Sequence, residues 1–274
     1  MSSAPVERAR ELVDESRFLT LCRIGFLGRG LLYILIGVLA LRSGRTEDLT
    51  GALEYLGRGD NRILLTIIAA GLAAYALWRL CDGAFGIETP GTHGKALRKR
   101  AAAAGIGAIY LFLSYKAVRI LLAGNAGTAT PQEHADTMLG LPGGEWVLGL
   151  VAAGLAIGGS VQIRKAGRCP FLRTLDHRAQ APFVKWLGRL GYAARGVIFL
   201  TLAYLFARAA MQSDSSEVGG MEQALDFFSG PVLYAVSVGL MLFGGFSIIE
   251  ALFRRIHGPP VEEIKAGVRE TVGG

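Results

Sequence analysis

The stretch RLGYAARGVIFLTLAYLFAR, Arg189–Arg208, constrains what this chain can fold into more than any other. It is an apolar run with an arginine at each end and a third, Arg195, inside it, and its length matches the roughly 20 residues a helix needs to cross the hydrocarbon core of a bilayer. The same arrangement stands near the N-terminus, where Arg23, Arg29 and Arg42 keep the spacing of Arg189, Arg195 and Arg208, and Gly25 and Gly30 match Gly191 and Gly196. A further copy has Arg100 and Arg119 for Arg23 and Arg42, Gly107 for Gly30 and Tyr110 for Tyr33. The chain is a triplication, and a repeat of this kind must be recognised before a fold is assigned.

Six apolar stretches approach membrane-spanning length: Ile24–Leu41, Ile63–Leu80, Ala101–Leu122, Trp146–Ile163, Leu187–Ala207 and Val232–Phe253. A hydrophobic content of 51% and a mean hydropathy of +0.40 place the chain in the membrane class. The expected fold is all-α, a single membrane domain over 1–274 whose six transmembrane helices form three repeated hairpins at 17–85, 98–166 and 185–255 in a pseudo-threefold arrangement. The first 17 residues hold seven charged side chains and no apolar core of a cleavable signal, so the first span is expected to serve as its own insertion signal. Residues Ser3 to Arg17 read as helical, either a short helix lying at the interface or a solvated helix leading into the first span.

The basic residues are distributed unevenly. Twenty fall in the N-terminal segment, the second and fourth loops and the tail, against six in the alternate loops. Positive residues stay on the cytoplasmic side, so both termini are expected there. The net charge of +7 follows from this topology and from anionic headgroups, at about 1 kcal/mol per basic residue near the surface. The expected partners are therefore the lipid bilayer with its anionic headgroups and other membrane proteins, with no nucleic acid. Cys22, Cys81 and Cys169 lie at the same side without CxxC spacing, which disfavours a disulfide framework. His93, His134, His177 and His257 all lie outside the spans. No haem, metal or other cofactor is expected.

The outer loops carry short helical signals. Thr130-Pro-Gln-Glu133 is a capping box, and Asp226 aligns with Glu54, with Asp136 as the middle copy. The basic loops Gly83–Lys99 and Lys165–Trp186 are rich in Gly, Pro and basic residues and are too short for a soluble catalytic domain. Small residues along the spans, among them Gly30 with Gly37, Gly154 with Gly158 and Gly239 with Gly244, permit close helix packing in lipid.

The repeated Arg-x-Gly-Tyr/Phe-x-x-Arg-Gly at Arg23–Gly30 and Arg189–Gly196, with Gly-Leu-x-x-Tyr-x-x-Trp-Arg at Gly71–Arg79, resembles a bacterial integral-membrane family. That family is common in actinobacteria and is catalogued as a domain of unknown function, typically with three two-helix repeats. The likeness runs from Arg17 to about Arg255, and the middle repeat departs from it with Ile106 where the inner arginine stands in the others. The resemblance implies six spans and a bacterial membrane location, and it supplies no reaction, substrate or catalytic residue.

Arg29 and Arg195 lie six residues inside their spans, about 9 Å deep at ~1.5 Å per residue. A charge at that depth is costly and calls for a partner. Aligning the second helices on Gly71, Gly154 and Gly239 puts Asp82, Lys165 and Glu250 in register. The expected structural ion pairs are Arg29–Asp82 and Arg195–Glu250, each within its hairpin. Arg42, Arg119 and Arg208 end the first helix of each repeat and, with Lys116, are candidate outer-face anion or lipid contacts. With no His or Cys cluster and no acid deeper in a span than its end, the expected function is a non-enzymatic membrane module that binds or stabilises other membrane components. The alternative is a small anion or solute transporter or channel using Arg29, Arg195 and Lys116. An enzyme ranks third, because membrane-embedded catalysis requires carboxylates, His or a metal facing a cavity.

Overall fold

The computed structural model describes residues 4–43, 49–57, 61–87, 94–123, 140, 143–212 and 230–255. These form seven α-helices: α1 (Ala4–Ser43), α2 (Leu49–Gly57), α3 (Arg62–Phe85), α4 (Lys95–Ala123), α5 (Gly144–Arg168), α6 (Pro182–Gln212) and α7 (Pro231–Phe253). All but α2 contain a stretch long and apolar enough to cross a membrane, in α1 over Leu19–Arg42. The chain is therefore a helical membrane protein of six spans in three repeated units. The N-terminal segment is not a separate interfacial helix, because α1 continues unbroken from Ala4 through the first span. Ser3, the Thr130–Glu133 capping box, Asp136 and Asp226 lie outside the described residues. Of the three expected outer helices α2 is described, and it buries Ala52, Leu53 and Leu56.

Glycines bring the helices together, and they do so in a pattern that repeats. Between units, a Cβ on Gly30 of α1 would stand 3.0 Å from Ile248 of α7, one on Gly107 of α4 2.8 Å from Leu80 of α3, and one on Gly196 of α6 2.6 Å from Ile163 of α5. Gly30, Gly107 and Gly196 are equivalent under the repeat, and so are Ile248, Leu80 and Ile163. The first helix of each unit thus packs on the second helix of the preceding unit, closing a cycle of three like contacts. Removing the side chain at the crossing lets two backbones approach, and in lipid such van der Waals contact supplies much of the association.

Within units the pattern holds twice. A Cβ on Gly71 of α3 would stand 2.5 Å from the Cα of Gly28 of α1, and one on the equivalent Gly239 of α7 would stand closer still to the Cβ of Ala194 of α6. In the middle unit the positions equivalent to Gly28 and Gly71 are Gly105 and Gly154, and nothing lies within 4 Å of a Cβ at either. α4 and α5 are accordingly not among the closely packed pairs, which are α1 with α3 and α7, α3 with α4, α5 with α6, and α6 with α7. The ring of six helices has one loose seam, inside the middle unit. Gly154, expected to mediate packing, faces open space.

The ends of the helices are fixed by backbone chemistry. α3 stops at Gly86, whose left-handed φ of 68° lets its N–H donate to Asp82 O. Arg100 then donates from Nε to Gly83 O at 3.0 Å and from its Nη2 to Ala84 O, so a cation opens α4 against the terminal carbonyls of α3. At the opposite end Arg62 donates to Leu121 O of α4 at 2.7 Å.

The loop after α5 is more ordered than its composition implies. It forms 3-10 turns at Pro170–Thr174 and His177–Ala179 and pairs with the end of α7, Asp176 N donating to Phe253 O and Arg255 N to Thr174 O, both at 2.8 Å. Its anchor is Phe171, stacked on Tyr192 with centroids 5.2 Å apart and set edge-on to Phe246 at 4.9 Å. Asp176 accepts the Arg178 backbone N–H at 3.0 Å and sits 3.8 Å from Arg255. First that hydrogen bond and then the neighbouring cations hold its carboxyl below the usual carboxylate range.

Candidate functional site

Arg29, Arg79, Asp82, Lys165, Arg195 and Glu250 gather in the half of the bundle that carries the basic loops. At the centre is Arg29, 4% exposed, with every edge of its guanidinium engaged. Its Nη2 donates to Glu250 Oε2 at 2.5 Å, its Nη1 to the Tyr75 hydroxyl at 2.6 Å and its Nε to Ser247 Oγ at 3.0 Å. The rings of Phe26 and Tyr75 each lie 4.8 Å from its Cζ, with Phe243 at 5.1 Å. A buried charge is tolerated when its partner and hydrogen bonds replace the lost water, and this one has three acceptors and three ring faces.

The partner corrects the expectation from sequence. Arg29 of α1 pairs with Glu250 of α7, across units, and not with Asp82 of its own hairpin. Glu250 takes Arg254 as its second cation, one turn along α7, and not Arg195. Asp82 is bridged to Arg79 on α3 at 3.3 Å, and Arg79 also donates to the Tyr75 hydroxyl at 3.3 Å. The physical reason lies in the helix contacts. Residue 29 sits one position before Gly30, the glycine that packs on α7, so its side chain emerges at the interface between units.

Arg195, equivalent to Arg29, has aromatic company of the same kind, its Cζ lying 4.4 Å from the Phe243 centroid, 4.9 Å from Tyr33 and 5.4 Å from Phe199. Its Nε is buried and, among the described residues, has no hydrogen-bond partner. Across the contact that Gly196 makes with Ile163, α5 carries Lys165, whose Nζ lies 5.5 Å from the Tyr192 ring. The site therefore gathers Arg29, Arg79, Arg195, Arg254 and Lys165 around Glu250 and Asp82, an excess of positive charge set among tyrosines and phenylalanines.

The outer candidates are arranged differently. Arg42 and Arg119 are exposed. Arg119 donates to the hydroxyl of Tyr115, one turn earlier on α4, at 3.1 Å, and Tyr115 is itself 55% exposed. Arg208 lies over Tyr204, again one turn earlier, with 5.9 Å between Cζ and centroid. Lys116 is buried, its ammonium 5.1 Å from the Phe112 ring. The bundle thus holds Arg29 and Glu250 together, while Arg119 stands apart from that cluster with its side chain exposed. Sequence reasoning passed over Tyr75, Ser247, Arg254 and Phe171. Only Tyr75 had a signal, its place in the Gly-Leu-x-x-Tyr-x-x-Trp-Arg motif.

No solved structure matches the chain. Uncharacterized protein YxxB of Bacillus subtilis (strain 168) is 28% identical to it over 248 residues, 85% of this chain and 90% of the relative. The Domain of Unknown Function (DUF1206) matches three times, at residues 24–86, 101–168 and 190–254. Each match takes in one pair of long helices with the glycines and charges that join it to its neighbours, and the chain belongs to the DUF1206 family.

Proposed function

We propose that the protein is a non-enzymatic membrane module that binds or stabilises other membrane components, lying in the bacterial plasma membrane with its basic end and both termini in the cytoplasm. The observation that carries this reading is the sealing of the inner charges. Arg29 and Glu250 are 4% and 1% exposed and closed in by Phe26, Tyr75 and Phe243. Charges that serve a permeating solute line a wet path, whereas these act as the polar clasp of a scaffold. The surface offers a place for an apolar occupant, a groove of about 500 Å³ between α5 and α6 bordered by Gly149, Ala152, Ala156, Leu200, Tyr204 and Met211. An acyl chain or a partner's transmembrane helix fits its chemistry.

Gentle extraction followed by identification of co-purifying lipids and proteins tests the reading. The expected result is a defined component retained through purification and lost when the groove is filled, as by Ala152→Phe with Ala156→Phe. The second reading, a small anion transporter, is favoured by the half-buried Arg195. Anion flux into liposomes holding the pure protein, with no component retained, would replace the first reading by the second.

A further inference from the structure

The interfaces between units are equivalent, so the residue pairs that face one another across them can be compared directly. At α1 and α7 the pair is Arg29 and Glu250, bonded at 2.5 Å. At α4 and α3 the same positions hold Ile106 and Asp82, and at α6 and α5 they hold Arg195 and Lys165. One interface thus sets two cations where its counterpart has a salt bridge. Lys165 lies within electrostatic range of Arg195, as it does of Arg79 and Glu250, and among the described residues neither Arg195 nor Lys165 makes a hydrogen bond or ion pair to a carboxylate.

We propose that Arg195 and Lys165 form a binding site for a phosphate-class oxyanion, which takes between them the place that the Glu250 carboxylate takes beside Arg29. The rings of Phe243, Tyr33 and Phe199 engage the guanidinium of Arg195 through its π-surface. Its buried Nε has no hydrogen-bond partner among the described residues. A planar fork of donors beside a point-charge ammonium suits a tetrahedral oxyanion, which can accept from both at once. Both cations are half-buried, so the site retains an approach from outside. Lys165 stands one turn from the end of α5 at Arg168, close to the depth at which lipid headgroups lie. The phosphate can therefore come from a phospholipid headgroup or from a free phosphate in solution.

The site goes beyond the function proposed above and does not rest on it. Thermal unfolding of the whole protein in a zwitterionic detergent tests it in two arms, one titrating inorganic phosphate against sodium chloride of equal ionic strength, the other phosphatidylglycerol against phosphatidylcholine. The unfolding temperature is expected to rise in at least one arm. A response to phosphate assigns the free anion, and a response to phosphatidylglycerol alone assigns the headgroup. Arg195→Gln and Lys165→Gln should each raise the half-saturating concentration about tenfold or more, the loss of one charge-assisted hydrogen bond. Lys165→Glu recreates the salt bridge of the equivalent interface, so it should raise the unfolding temperature without ligand and abolish the response. Native protein that responds in neither arm, or a Lys165→Glu protein that responds as the native one does, would overturn the site and leave the co-purification and flux results standing.

Discussion

At the scale of the residue, the interior is governed by which cation reaches which carboxylate. Removing one partner of a buried pair strands the other, so Arg29→Ala and Glu250→Ala should each destabilise the protein by about 3–5 kcal/mol, with the double change costing much less than the sum. Arg195→Ala combined with Glu250→Ala should be additive, and denaturant titration of the detergent-solubilised variants distinguishes the two cycles. Repeat alignment identified Arg29 and Glu250 as charges in need of partners, yet it misjudged the pairing. Internal symmetry says which residues are equivalent and is blind to whether an equivalent contact falls within a copy or between two copies. Outside the spans, the depressed carboxyl of Asp176 gives a pH dependence whose sign can be worked out. Its contribution is present above the unfolded-state value of about 3.9 and is lost as pH falls through the lower folded-state value. Protection of the Arg178 amide, followed by hydrogen exchange and corrected for intrinsic rate, should fall across that acid window and be independent of it in Asp176→Asn.

At the scale of the element, glycines equivalent in sequence meet different surroundings. Gly71→Ala puts a methyl 2.5 Å from the Cα of Gly28, where only movement of α1 or α3 can relieve it, and overpacking of this kind costs about 1–3 kcal/mol. Gly154→Ala, at the same place in the middle unit, meets nothing and should leave the unfolding temperature unchanged or higher. Side-by-side melting curves check the contrast, and equal losses would mean that α4 and α5 pack closely after all. The six spans were legible because hydropathy and length are local properties. The loose seam was not, since Gly105 and Gly154 carry the same small-residue signal as Gly28 and Gly71, and a missing side chain permits contact without compelling it. The ordering of the 170–179 loop was hidden for a related reason. One aromatic, Phe171, fastens it to Tyr192 and Phe246 on two other helices, and a single long-range contact leaves no periodicity to read.

At the scale of the whole molecule, the basic loops and the charged cluster share one end of the bundle. A reporter active only outside the cytoplasm should be silent when fused after Gly274 and active when inserted near Gly127, and the reverse pattern would invert the orientation. The contact between α1 and α7 also bears on how the protein is made. Arg29 enters the membrane with the first span, and the carboxylate that satisfies it lies 221 residues further along the chain. At about 5–20 residues per second, some 10–40 s of synthesis separate them. Through that interval the nascent chain carries a cation for which Tyr75, 46 residues on, is the first of its eventual hydrogen-bond partners to be synthesised. Insertion of the last helix is then the step that neutralises the first, and a ribosome stalled before residue 250 leaves behind a membrane intermediate marked by an uncompensated charge.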